Sequence, residues 1–199
     1  MKVLGITGPT GAGKTTALLE LEKLGGAIID CDAVYHELLN SNIALQNELE
    51  QAFGPLKDEQ GRFDRKKLGA VVFRDLDALA DLNAIVTPYI GRAVAQALDR
   101  VRAAGKTAAA VDGITIIESG LAALCDTTVA VVAPADERVR RICLREGISE
   151  EYARARVAAQ KTEDWFRANC VYTLVNDCPE MQQFAQRARD LFMRILNDG

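Results

Sequence analysis

Imidazole is nearly missing from this chain: 199 residues include a single histidine, His36. The five cysteines, Cys31, Cys125, Cys143, Cys170 and Cys178, are odd in number and scattered, and they form no CxxC pair. Neither a zinc cluster nor a disulfide framework is expected from them, and they read as reduced thiols that mostly pack. No stretch stays apolar for the roughly 18 residues that a membrane-spanning helix needs, and the amino-terminal MKVLGIT is too short an apolar run for a secretory signal. The expected location is cytoplasmic. An excess of positive charge is lacking too, since 24 Lys and Arg against 28 Asp and Glu leave a net charge of −4. Such a surface has no general attraction for nucleic acid or anionic lipid, so any phosphate site has to be built locally from backbone donors and a few cations. The expected partners are small molecules, with no nucleic acid and no membrane among them, and the chain is expected to be a monomer or a weak homo-oligomer.

What is present suits one folded domain over residues 1–199, because 49% apolar and 26% charged residues are ordinary for a globular core. There is no internal repeat and no low-complexity linker. Short β-rich runs (KVLGIT, GAIID, TAAAVD, TTVAVVA, CVYTLVN) alternate with longer helical patterns, which predicts an α/β fold whose parallel strands are joined by helical crossovers. TTVAVVA is nearly all apolar, as a strand covered on both faces should be, whereas TAAAVD has weak β propensity. Two segments look like excursions from the sheet. FGPLKDEQGRFDRKKLGAVVF breaks its pattern before a helix opens at DRKKL, and REGISEEYARARVAAQKTEDWFRANC reads either as a solvated crossover or as a moving lid.

The most specific signal is GITGPTGAGKTT, in which Gly8, Gly13, Lys14 and Thr15 satisfy GxxxxGKT between a strand and a helix. Glycine lets successive N–H groups turn inward on phosphate oxygens, and the following helix adds its positive end. Gly8, Pro9, Thr10, Gly11, Ala12, Gly13, Lys14, Thr15 and Thr16 are therefore the candidate nucleotide-binding residues. Lys14 would reach the β- and γ-phosphates, and the Thr15 hydroxyl would complete a Mg²⁺ shell. Pro9 removes one possible donor.

Ligands of an open parallel sheet collect at the carboxyl ends of its strands. The second strand ends in Asp30, Cys31 and Asp32, and the third in Asp112, which places Asp30 and Asp32 across a crevice from Lys14. A carboxylate there can orient an acceptor hydroxyl and take its proton. Asp32 also opens a helical run and has a second reading as its N-cap, and the two roles are compatible.

In order and spacing, GITGPTGAGKTT, IIDCDAVYHELL, FGPLKDEQGRFDRKKLGAVVF, LNAIVTPYI, VDGITIIESGL, RRICLREGISEEYARARVAAQ and VYTLVND resemble the dephospho-CoA kinase family over almost the entire chain. The resemblance implies a P-loop kinase-type three-layer fold on a five-stranded parallel sheet, with a helical acceptor-binding region at about 31–104 and a lid at about 146–170. It also implies ATP and Mg²⁺, and phosphorylation of the ribose 3′-hydroxyl of dephospho-CoA, the last step of coenzyme A synthesis. By position Asp32 resembles the family's base. Thr7, Asp30, His36 and Arg65, with Asp112, fall in segments that shape the acceptor site. Arg145 matches a lid arginine near the ATP phosphates, and Asn176 lies on the loop near adenine.

Structural readings stand beside these. His36 can be a surface or packing residue, Arg65 can simply follow Asp64 at a helix start, and Asn176 can simply end a strand. Arg141, Arg145, Arg154 and Arg156 can form a solvated face. Trp165 and Phe166 can belong to the core or cover a base or the pantetheine arm. The chain departs from the family pattern at Thr87-Pro88, where His-Pro is usual, in DGITIIE at 112–118, and at Pro9. These departures bear on acceptor fit more than on phosphate binding. Alternative functions are a P-loop kinase for another nucleotide or small alcohol, and a non-catalytic ATP-binding relative. VNDC lacks the Asn-Lys-x-Asp segment of a guanine site.

Overall fold

The structure, a computed structural model, describes residues 1–198. The chain forms two compact units, one from Met1–Ile29 together with the chain from Leu98 onward, the other Asp30–Ala97.

The first unit is organised by a five-stranded parallel sheet in the order β2-β3-β1-β4-β5. Its strands are β1 (Lys2–Thr7), β2 (Ala27–Asp30), β3 (Ala108–Asp112), β4 (Thr127–Val132) and β5 (Tyr172–Val175). β1 and β4 are buried from their second residue to their last, as strands covered on both faces should be. β3 is weak in intrinsic propensity and is nevertheless a central strand, pairing in register from Lys2↔Ala108 to Ile6↔Asp112. Its alanines are fully buried, so burial and pairing override propensity there.

Helix α1 (Lys14–Lys23) and the closing α9 (Met181–Asn197) share one core with the sheet, through Leu18, Leu21, Phe184, Phe192 and Ile195 against Leu4, Ile6, Val129 and Val131. Phe184, Ala188, Phe192 and Ile195 recur at helical spacing and make the apolar stripe of α9. Each such fully buried leucine or phenylalanine contributes roughly 1.5–3 kcal/mol.

After β4 the chain runs through α6 (Ala135–Glu146), α7 (Glu150–Ala158) and α8 (Glu163–Asn169). Gly147, at φ 66°, ends α6 in a left-handed turn. Ser149 and Thr162 cap α7 and α8 by accepting from Tyr152 N–H and Trp165 N–H. α7 packs on α6 through Ala153, Val139 and Ile142, and Phe166 of α8 is buried against Ala130 and Val132. Phe166 is thus a core residue, with Trp165 packed edge-on beside it. The DGITIIE segment is also structural, since buried Ile116 lies over Gly5 so closely that a Cβ there would meet its Cδ1 at 3.0 Å.

The second unit is helical: α2 (Cys31–Ser41), α3 (Ile43–Phe53), α4 (Arg65–Val72) and most of α5 (Leu76–Ala103). Leu39, Leu45, Leu49, Leu56, Leu68, Val72, Leu82 and Val86 form a core of its own. The irregular link before α4 is held by Asp58, which accepts from the N–H groups of Gln60 and Arg62, and Asp64 caps α4. Among the described residues no helix is long and apolar enough to cross a membrane.

Candidate active site

β1 runs directly into a loop that α1 closes. Gly8, Gly11 and Gly13 take positive φ of 141°, 81° and 106°. All three glycines are required by their neighbours as well, and a Cβ on Gly11 would sit 2.9 Å from the Arg138 carbonyl oxygen. A Cβ on Gly8 would sit 2.0 Å from the Val131 carbonyl oxygen, and one on Gly13 would sit 2.4 Å from Asn176 Nδ2. Ala12 N–H is spent on the Pro9 carbonyl and Thr16 N–H on that of Gly13. The N–H groups of Gly11, Gly13, Lys14 and Thr15 have no partner among the described residues, which leaves a nest of donors at a helix N-terminus. Lys14 Nζ spans the loop and donates to the Gly8 carbonyl at 3.3 Å, and Thr15 is exposed at the start of α1.

Behind the nest the loop is held by groups from α6, the α7–α8 turn and the end of β5. Asn176, buried, donates from Nδ2 to the Ala12 carbonyl at 2.8 Å. Arg141 reaches the Gly11 carbonyl at 3.3 Å and both oxygens of Asn176 at 3.4 Å. Arg138, buried, donates to the Thr10 carbonyl at 2.9 Å. Burial lowers its affinity for its proton, an effect partly offset by nearby Glu163, but a guanidinium stays charged. Thr7 is fully buried and donates to the Ile114 carbonyl at 3.0 Å, tying β1 to the segment after Asp112. Asp112 ends β3 as the register partner of Ile6.

In the helical unit Asp30, not Asp32, is the N-cap of α2: its carboxylate accepts from Asp32 N–H at 2.8 Å and Ala33 N–H at 3.1 Å. Asp32 stands exposed in the first turn, its carboxylate unpaired among the described residues. His36 lies one turn on, at helical i, i+4 spacing. Arg65, the first residue of α4, donates to His36 Nδ1 at 2.5 Å, which requires that ring nitrogen to be the acceptor. The pair borders an apolar cavity of about 610 Å³ lined by Tyr35, Leu39, Leu68, Phe73 and Leu82. Burial raises the Tyr35 hydroxyl above its ordinary value, and Arg65 opposes that shift.

The structure thus brings together the loop residues Gly8 to Thr16 with Asn176 in one unit, and Asp30, Asp32, His36 and Arg65 in the other. Among the described residues Arg145 makes no hydrogen bond to the loop; it is exposed and paired with Glu146 Oε1 at 2.5 Å. Sequence reasoning passed over Arg138 and Gln160. The only local sign of Arg138 is its i, i+3 spacing to Arg141 on the helix after β4, and Gln160 has none.

The family model for dephospho-CoA kinase matches residues 2–181. A dephospho-CoA kinase of Corynebacterium diphtheriae is 32% identical over 196 residues, covering 98% of either chain. Among solved structures, a Thermus thermophilus protein aligns with TM-score 0.81 at 30% identity over 98% of this chain and 97% of its own. A dephospho-CoA kinase from Campylobacter jejuni aligns with TM-score 0.73 at 23% identity, over 100% of this chain and 99% of its own, a likeness of fold. With the phosphate loop in place and relatives matched from end to end, the chain belongs to the dephospho-CoA kinase family.

Proposed function

We propose that this protein transfers the γ-phosphoryl group of ATP to the ribose 3′-hydroxyl of dephospho-CoA, the closing step of coenzyme A biosynthesis. The observation that carries the reading is the nest of unpaired N–H groups beside Lys14, in a chain that matches its family along nearly its whole length. Backbone donors and the ammonium group hold the phosphates, and Lys14 leaves the Gly8 carbonyl to do so. Little covalent chemistry is asked of a protein in phosphoryl transfer, so position and charge do most of the work.

Asp32 orients the acceptor hydroxyl and takes its proton, a role supported by a carboxylate that no cap or ion pair engages among the described residues. Mg²⁺, when bound, would supply positive charge against the charge that develops during transfer. The exposed Thr15 hydroxyl would be its protein ligand, with Asp112, at the end of the neighbouring strand, as a carboxylate for its hydration shell. Arg145 serves the transferring phosphoryl group after release from Glu146.

The apolar cavity of the helical unit suits the pantetheine arm, and Arg65 with Lys66 on its lining suits the diphosphate. Incubation with ATP, Mg²⁺ and dephospho-CoA should yield a 3′-phosphorylated product detectable by mass spectrometry. Lys14→Ala and Asp32→Asn should each lower kcat by roughly 10²-fold or more. No product from dephospho-CoA, with turnover of another alcohol in an acceptor panel, would overturn the substrate assignment. A fully active Asp32→Asn enzyme would remove Asp32 from proton transfer.

A further inference from the structure

Thr10 lies inside the phosphate loop, and each of its polar groups is held by a partner distant in the chain. Gln160 Oε1 accepts from Thr10 N–H at 3.1 Å, and Gln160 Nε2 donates to Thr10 Oγ1 at 2.8 Å. Arg138 Nε donates to the Thr10 carbonyl at 2.9 Å, and its Nη2 donates to the same Gln160 Oε1 at 2.6 Å. An amide side chain offers an acceptor and a donor side by side, which is what a backbone N–H next to a hydroxyl can use. Arg138 is 4% exposed and cannot follow a moving loop without losing its partners to a dry interior.

Beyond Gln160 the path is short. Lys161 holds its ammonium 5.4 Å from the centre of the Trp165 ring, and Thr162 caps α8 at Trp165 N–H. A ligand that draws in the free N–H groups of Gly11, Gly13, Lys14 and Thr15 pulls on a loop whose Thr10 amide is tied to Gln160, in the turn before α8.

We propose that Gln160 is a positioning residue: backed by Arg138, it sets the phosphate-loop conformation through Thr10 and transmits occupancy of the loop to the start of α8. The inference rests on the loop being a triphosphate site and is independent of the acceptor.

Trp165 is the only tryptophan, so its emission reports on this turn without a label. The full-length protein is titrated with Mg²⁺-tripolyphosphate and Mg²⁺-ATP, with affinity from calorimetry and Trp165 emission read at saturation. The wild-type emission is expected to change. Gln160→Ala should bind about tenfold more weakly or worse and lose the emission change at saturation. Gln160→Glu should keep it, because a carboxylate still accepts from Thr10 N–H and Arg138 and the Thr10 hydroxyl can turn to donate. If Gln160→Ala does not fold, Thr10→Val against Gln160→Glu decides, the first expected to diminish the response and the second to keep it. Wild-type affinity and emission change in Gln160→Ala would overturn the proposal, as would a saturated wild-type protein with unchanged Trp165 emission or equal responses in Thr10→Val and Gln160→Glu. Loss of the acceptor assignment with these results intact would leave the Gln160 assignment standing.

Discussion

Replacing Asn176 with alanine tests whether the phosphate loop is held from behind. The Asn176 amide donates to the Ala12 carbonyl at 2.8 Å, and Ala12 is fully buried. Truncation leaves that carbonyl unpaired in a dry environment, at a cost of about 1–3 kcal/mol. In a chain of this size each kcal/mol lowers Tm by about 2–4 °C, so the expected drop is roughly 2–12 °C by calorimetry. ATP affinity should fall with it, because Ala12 lies between two of the unpaired amide donors. Asn176→Asp keeps the shape but turns the donor into an oxygen facing the Ala12 carbonyl. Arg141, at 3.4 Å from Asn176 Oδ1, offsets part of that repulsion. The introduced carboxylate is disfavoured in its ionised form, so its folded-state pKa lies above the unfolded value of about 3.9. The penalty is therefore full above the folded pKa and fades as pH falls through it, when the protonated acid can donate to Ala12. Urea denaturation at neutral and mildly acidic pH reads that sign. Asn176→Ala melting within about 1 °C of wild type would refute the argument.

Other tests bear on separate parts of the molecule. Gly8→Ala should cost well over the roughly 1–2 kcal/mol that positive φ alone imposes, because its Cβ meets the Val131 carbonyl oxygen at 2.0 Å; Gly61→Ala, with φ 77° and nothing within 4 Å, should show the φ cost alone. Equal urea midpoints for the two variants would rule out the close approach. Arg145, and then Arg156, hold the Glu146 carboxyl below its ordinary 4.5, so their pairing persists above that value and is lost as pH falls through the folded-state pKa. A carboxyl NMR titration should show Glu146 moving up in Arg145→Gln, and an unmoved titration would assign the shift elsewhere. Burial, aided by Asp126, pushes the Cys125 thiol up to about 11, so iodoacetamide should label it slowly at pH 8; fast labelling there would contradict its placement.

Local chemistry was legible in the sequence, and long-range chemistry was not. The phosphate loop could be read because its glycines, Lys14 and Thr15 are adjacent and each serves the backbone it sits in. The Asp64 start of α4 and the strand cores of β1 and β4 follow from the same kind of short pattern. At the end of β2 two aspartates stand two residues apart, and either could cap α2. Asp30 does so, which frees Asp32, a distinction decided by where strand geometry gives way to helix.

The arginines of α6 show the limit more sharply. By composition Arg138, Arg141 and Arg145 are alike, and position along the helix separates them. Arg138 and Arg141 lie one turn apart and reach Thr10 and Gly11 across 128 and 130 residues of sequence. Arg145 is four residues further on, about 6 Å along the axis, where Glu146 holds it instead. A sequence pattern contains no term for which turn of a helix faces a loop so remote. Arg138 can be buried only because the Thr10 carbonyl and Gln160 receive its donors, and its desolvation would be too costly in an unfilled site. The buried charge is therefore itself evidence that the phosphate loop is shaped from α6 and the α7–α8 turn as much as by its own glycines.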